Sequence, residues 1–76
     1  MVRLVGFSGG EVVNILERDL GFKIISQKGS HIKLRKQIDS RAITVIVPNH
    51  KELAPGTLRG VLRQAEITPK DFIQHK

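Results

Sequence analysis

Gln27-Lys28-Gly29-Ser30-His31-Ile32-Lys33-Leu34-Arg35-Lys36-Gln37 is the stretch on which the fold turns. A Gly-Ser pair between two strand-like runs marks a tight turn. From His31 onward polar and apolar residues alternate, the period of a strand with one buried face. Ile32 and Leu34 then point one way, and His31, Lys33 and Arg35 point the other. That parity holds as long as the strand carries no bulge. The same stretch poses the functional question. An imidazole exchanges a proton near neutral pH, and Lys28 and Lys33 beside it favour a phosphate as its target.

Upstream, Phe22 to Lys28 has the β-branched content of a strand in Ile24 and Ile25. Downstream, Asp39-Ser40 supplies a second turn and Arg41 to Val47 a third strand. There Ile43, Val45 and Val47 alternate with Ala42, Thr44 and Ile46. Pro48 cannot donate to a ladder and ends the strand. The three strands form an antiparallel meander.

Helices flank the meander. Ser8-Gly9-Gly10-Glu11 reads as a capping box, followed by the apolar stripe Val12, Ile15, Leu16 and Leu20, so a helix is expected from Gly9 to Leu20. Gly21 suits the left-handed residue that closes such a helix. Beyond the sheet, Asn49 to Gly56 reads as a polar loop and Thr57 as the N-cap of a second helix. That helix buries Leu58, Val61, Leu62 and Ala65 and carries Arg59 and Arg63 on another face. Thr68-Pro69-Lys70-Asp71 starts a short extra helix, docked by Phe72 and Ile73. In the lead-in, Val2, Leu4, Val5 and Phe7 add cover to the core. The expected class is α+β in the order α-β-β-β-α, with a three-stranded antiparallel sheet, both helices on one face and the other face open. Seventy-six residues make a single domain, residues 1–76, with little room for a second core.

Charge narrows the partner. The formal net charge is +6, and between Phe22 and Arg41 six cations (Lys23, Lys28, Lys33, Arg35, Lys36, Arg41) face Asp39 alone. A one-sided basic field fits a polyanion, either nucleic acid or an acidic protein. The chain has no cysteine, which excludes disulfides and thiolate metal sites. No apolar run approaches the ~20 residues of a membrane span and no signal-peptide pattern opens the chain, so a soluble cytoplasmic protein is expected.

Several chemistries drop out. His31, His50 and His75 are scattered without an HExxH or Asp-rich pattern, so no metal and no cofactor is expected. Gly9-Gly10 lacks the preceding strand and glycine spacing of a nucleotide loop, and capping accounts for it. Ser30 adjoins His31 without a nucleophile elbow, against a Ser-His-Asp hydrolase. Proton-transfer cleavage of RNA survives, because RNA carries its own nucleophile, the 2′-hydroxyl. The protein then supplies an acid or base, typically ~10²–10⁴-fold in rate, and positive charge at the phosphate. On these residues alone a non-catalytic RNA-binding module and a protein-interaction domain also stand. With three phenylalanines and no other aromatic residue, base stacking on an aromatic sheet is disfavoured.

Gly21-Phe22, Gln27-Lys28-Gly29-Ser30-His31, Thr44-Val45-Ile46-Val47-Pro48-Asn49-His50, Glu52-Leu53 and Pro55-Gly56-Thr57-Leu58 follow one another in an order and spacing that resemble HicA-type mRNA interferase toxins. Val61-Leu62-Arg63-Gln64-Ala65 and the late Phe72 extend the resemblance to nearly the whole chain. It implies a fold like the double-stranded-RNA-binding domain and an endoribonuclease acting on mRNA, paired with a HicB-type antitoxin, an acidic partner. It implies that His31 is the catalytic residue, as acid or base, with Gly29 and Ser30 shaping its turn. Charge adds Lys28, Lys33 and Arg35, with Ser30, as phosphate-binding residues. His50 matches the histidine of the VP-x-H loop and is read as structural; Arg59 and Arg63 are candidates to face RNA or the partner. The chain departs from the family pattern at Ser26, where an arginine is frequent, and at Glu66, where a glycine commonly follows the second helix.

Overall fold

The computed structural model describes residues 2–76. The first helix, α1, spans Gly9–Arg18. Its start is set locally: Glu11 N–H donates to Ser8 Oγ and Ser8 N–H donates to Glu11 Oε1, each at 3.0 Å. Two of the orphan donors at the helix start are thereby satisfied. α1 buries Val12, Val13, Ile15 and Leu16. It stops two residues short of Leu20, because the chain turns at Asp19 and Phe22 N–H bonds the Leu16 carbonyl. Gly21, at φ +80°, makes that reversal without the clash a Cβ would meet.

Three strands follow, β1 (Lys23–Lys28), β2 (His31–Ile38) and β3 (Arg41–Pro48), in the antiparallel order β1-β2-β3. Phe22, read as strand, instead plugs the core just ahead of β1. β3 runs one residue further than its spacing suggests, since Pro48 still stands opposite His31. Both turns hold two residues and have positive φ at the first, Gly29 at 59° and Asp39 at 49°. Asp is among the few side chains that tolerate this region.

The ladder between β1 and β2 contains a bulge. Ser26 stands opposite Lys33 but Ile24 opposite Leu34, leaving Ile25 as an extra residue of β1. The irregularity therefore falls in β1, and the alternation of β2 is intact: Ile32 and Leu34 are buried, His31 and Arg35 exposed. Two adjacent β-branched residues give β1 no alternation to enforce a register, and Ile24 and Ile25 remain 44% and 43% exposed.

The second long helix, α2, spans Pro55–Ala65. It begins earlier than Thr57, the expected cap. Ala54 is the N-cap and makes no side-chain bond, while Pro55 opens the helix with its ring-fixed φ. The preceding loop is correspondingly shorter and not wholly polar: Leu53 is buried and its N–H bonds the Phe7 carbonyl at 2.8 Å. At the other end Glu66 adopts φ 59°, ψ 40°, and Ile67 N–H and Glu66 N–H bond the carbonyls of Leu62 and Arg63. These are the two bonds of a Schellman ending. Glu66 thus closes the helix as a glycine would. A last turn, α3 (Pro69–Ile73), is capped by Thr68 Oγ1 accepting from Asp71 N–H at 3.1 Å.

One core lies between the inner sheet face and the helices. Ile32, Leu34, Ile43, Val45 and Val47 meet α1 and the α2 stripe Leu58, Val61, Leu62 and Ala65. Of the lead-in residues, Leu4 and Phe7 join the core and Val5 stays outside. The Phe7 and Phe72 rings lie 5.3 Å apart, tilted by 53°. α2 also covers the outer edge of β3, where Ile46 N–H donates to Gln64 Oε1 at 3.1 Å, which leaves β1 as the open edge.

Candidate functional site

Register turns the open face of the sheet into rows. Lys28, His31 and Pro48 form the first row, Ser26, Lys33 and Ile46 the second, and Lys23, Arg35 and Thr44 the third. Neighbouring rows are two residues, about 7 Å, apart along β2 and β3, and the bulge makes the step from Ser26 to Lys23 three residues on β1. Ser26, Lys28, His31, Lys33 and Ile46 together line a shallow concavity of about 490 Å³. Of the phosphate-binding candidates, Lys28 and Lys33 therefore share this depression with His31.

Arg35 lies one row further on. Its Nε donates to Thr44 Oγ1 at 3.3 Å, and it lines a second depression of about 360 Å³ with Gly21, Lys23, Ile25 and Gln37. Ser30 sits in the turn beside His31, exposed, and does not line the concavity. What Ser30 contributes is its carbonyl, which accepts from Asn49 N–H at 2.6 Å. Gly29 is required by its φ of 59° alone, since nothing lies within 4 Å of where a Cβ would stand. Gln27 Nε2 braces the turn by donating to the Gly29 carbonyl at 3.2 Å.

The loop after β3 is pinned from two sides. Asn49 meets Ser30, and the His50 carbonyl accepts from Gly9 N–H at 2.8 Å. A Cβ at Gly9 would come within 2.1 Å of the Pro48 carbonyl oxygen and 2.8 Å of Asn49 Cα. The first glycine of α1 is thus demanded by close approach to this loop as well as by its place at a helix start. His50 holds the loop through its backbone, and its side chain is exposed.

Electrostatics sort the cations of residues 22–41. Arg41 pairs with Glu66 through two bonds of 2.7 and 2.8 Å, which holds the Glu66 carboxyl below its ordinary range and raises the guanidinium. Lys36 turns to the helix side, its Nζ 5.8 Å from the Phe22 ring centroid. Lys23, Lys28, Lys33 and Arg35 remain on the open face. Among the described residues no acidic side chain lines either depression there. Acidic groups are engaged elsewhere, Glu11 in the cap of α1 and Asp19 with Arg18 and His75. Arg59 and Arg63 are exposed on α2 and belong to neither depression.

The three histidines do not converge, and among the described residues no group of three His, Asp or Glu side chains is placed to share a metal ion. Nor does any described side chain hydrogen-bond the His31 imidazole, so the ring meets solvent or a ligand directly. Ser26 and Ile46 are the lining residues that the reading of β2 alone does not supply. Both follow from counting outward from the two turns, which sets each of them opposite Lys33.

Among the described residues no helix is long and apolar enough to cross a membrane. A family model described as "HicA toxin of bacterial toxin-antitoxin" matches residues 9–67, from the first residue of α1 through the sheet to the residue after Glu66, which closes α2. No curated protein and no solved structure matches the chain. Since the family match spans well over half of the sequence and contains the whole open face, the chain belongs to the HicA toxin family of bacterial toxin–antitoxin systems.

Proposed function

We propose that this chain is a metal-independent endoribonuclease that cleaves mRNA in the cytoplasm and is silenced by an acidic HicB-type antitoxin. The observation that carries this reading is the shared concavity of His31, Lys28 and Lys33 on the solvent-facing side of the sheet. In the reaction the 2′-oxygen bonds to the adjacent phosphorus and the 5′-oxygen of the next nucleotide departs. One proton leaves the 2′-hydroxyl and one reaches the leaving oxygen. His31 takes part in one of these transfers and water in the other. Lys28 and Lys33 hold the phosphate and offset the charge that builds on its oxygens. Gly29 and Ser30 fix the turn that presents His31, and Arg35 takes a further phosphate one row along. The substrate brings the nucleophile, so the protein needs no metal to make one.

This mechanism requires the 2′-hydroxyl at the cleaved position. An RNA oligonucleotide with a single 2′-deoxy substitution there should resist cleavage, while the same substitution elsewhere leaves it unaffected. Cleavage at a 2′-deoxy position would rule the mechanism out.

The grouping of Lys28 and Lys33 in one concavity, with Arg35 one row on, also favours a second reading, a non-catalytic RNA-binding module using the same cations. It requires that purified protein bind RNA and leave it intact. In either case an acidic partner laid over Lys28, His31 and Lys33 blocks RNA access and is steered there by charge.

A further inference from the structure

All three phenylalanines are buried in the core, so the open face offers no aromatic ring to a nucleobase. It offers Ile46. This side chain is 42% exposed, one of four large apolar residues that are exposed among the described residues. β3 sends Ile43, Val45 and Val47 into the core, whereas Ile46 stands on the opposite, open face. Thr44, one row away on the same face, shows that a polar β-branched residue serves the strand as well. Ile46 stands directly opposite Lys33 and lines the same concavity as Lys28 and His31. An apolar seat one strand away, about 5 Å, from Lys33 suits a ligand that joins a phosphate to a flat, weakly polar ring.

Building on the RNA-cleavage reading, we infer that Ile46 is the seat of the nucleobase next to the scissile phosphate. The concavity then holds one nucleotide of an extended single strand, its phosphate toward Lys28 and Lys33 and its base on Ile46. A base stacked inside a duplex cannot present its face to Ile46, so the seat selects unpaired RNA. Aliphatic contact reads no donor or acceptor pattern. It senses that a base is present rather than which base it is, and Ser26 is the one hydroxyl in the lining.

The test is binding of a short single-stranded 2′-O-methyl RNA, which lacks the nucleophile and stays intact whichever group is catalytic. An abasic nucleotide is moved along it one position at a time. With wild-type protein, one abasic position should weaken binding about fivefold, the scale of losing part of a side chain's apolar contact. Ile46→Ala should show the same loss on the fully based RNA and no further loss at that abasic position. Val5→Ala, also exposed but outside the sheet, should bind as wild type does. If Ile46→Ala binds the fully based RNA unchanged, or if every abasic position is neutral, the inference is overturned. Weakened antitoxin binding with unchanged RNA binding overturns it too, by assigning Ile46 to a protein interface. The catalytic reading is judged separately, by cleavage of unmodified RNA.

Discussion

The backbone N–H of Asn49 donates to the carbonyl of Ser30 at 2.6 Å. This bond ties the turn that presents His31 to the loop that leaves β3. That loop is tied in turn to α1, by the Gly9–His50 bond, and to the lead-in, by the Leu53–Phe7 bond. The candidate site therefore rests on a chain of main-chain contacts that reaches the first helix.

Gly9→Ala tests that chain. The added methyl meets backbone atoms rather than a side chain that can swing away, so helix or loop must shift. A loss of about 2–3 kcal/mol in chemical denaturation is expected, at the upper end for overpacking, with reduced RNA cleavage at temperatures where the variant is still folded. Gly10→Ala is the control: its nearest atom is Ser8 Oγ at 3.9 Å, and helix propensity favours alanine. Equal stability of the two variants would refute the role given to Gly9.

Much of this was legible in the residues because it is local. The capping box at Ser8–Glu11, the Thr68 cap and the parity of β2 each depend on neighbours a few positions away. The start of α2 was not. Thr57 is the better cap by residue type, but Pro55 opens the helix two residues earlier, just after a buried Leu53 whose N–H is bonded to Phe7. The bulge at Ile25 was equally hidden, since Ile24-Ile25 carries no alternation to betray it. For the site, His31 and its lysines came from composition and family pattern, whereas Ile46 needed the register across all three strands.

Charge removal gives a quantitative check on the open face. Each phosphate contact on single-stranded nucleic acid contributes about 0.7 to the slope of log affinity against log salt. Replacing Lys28, Lys33 and Arg35 together by glutamine should flatten that slope by about 2. Arg41→Gln should leave it unchanged, because Glu66 already engages that guanidinium. A slope that responds equally to Arg41 would place the RNA elsewhere.

Acid should destabilise the fold gradually. Backbone and hydroxyl donation from Ser8 lowers the Glu11 carboxyl, the Arg18 hydrogen bond lowers Asp19, and the Arg41 hydrogen bond lowers Glu66. A carboxyl lowered in the folded state contributes stability above its unfolded value and loses it as pH falls through its folded value. The window therefore opens near the ordinary values of 4.5 for Glu and 3.8 for Asp and extends downward. All three groups are exposed, so salt blunts the effect. Melting temperature should be flat at neutral pH and decline below pH 4.5, less steeply in high salt, and Glu66→Gln should remove part of the decline. A decline that starts near neutral pH would point to a different group.

The central claim is that His31 carries the proton-transfer chemistry. The most direct measurement is single-turnover cleavage of an unstructured mRNA fragment by wild-type and His31→Ala protein, both in excess EDTA, with circular dichroism verifying the fold. The wild type should cleave without metal. His31→Ala should keep its fold and most of its RNA affinity and lose about two to four orders of magnitude in rate, the share that one positioned acid or base supplies. Cleavage by folded His31→Ala at the wild-type rate would contradict the account.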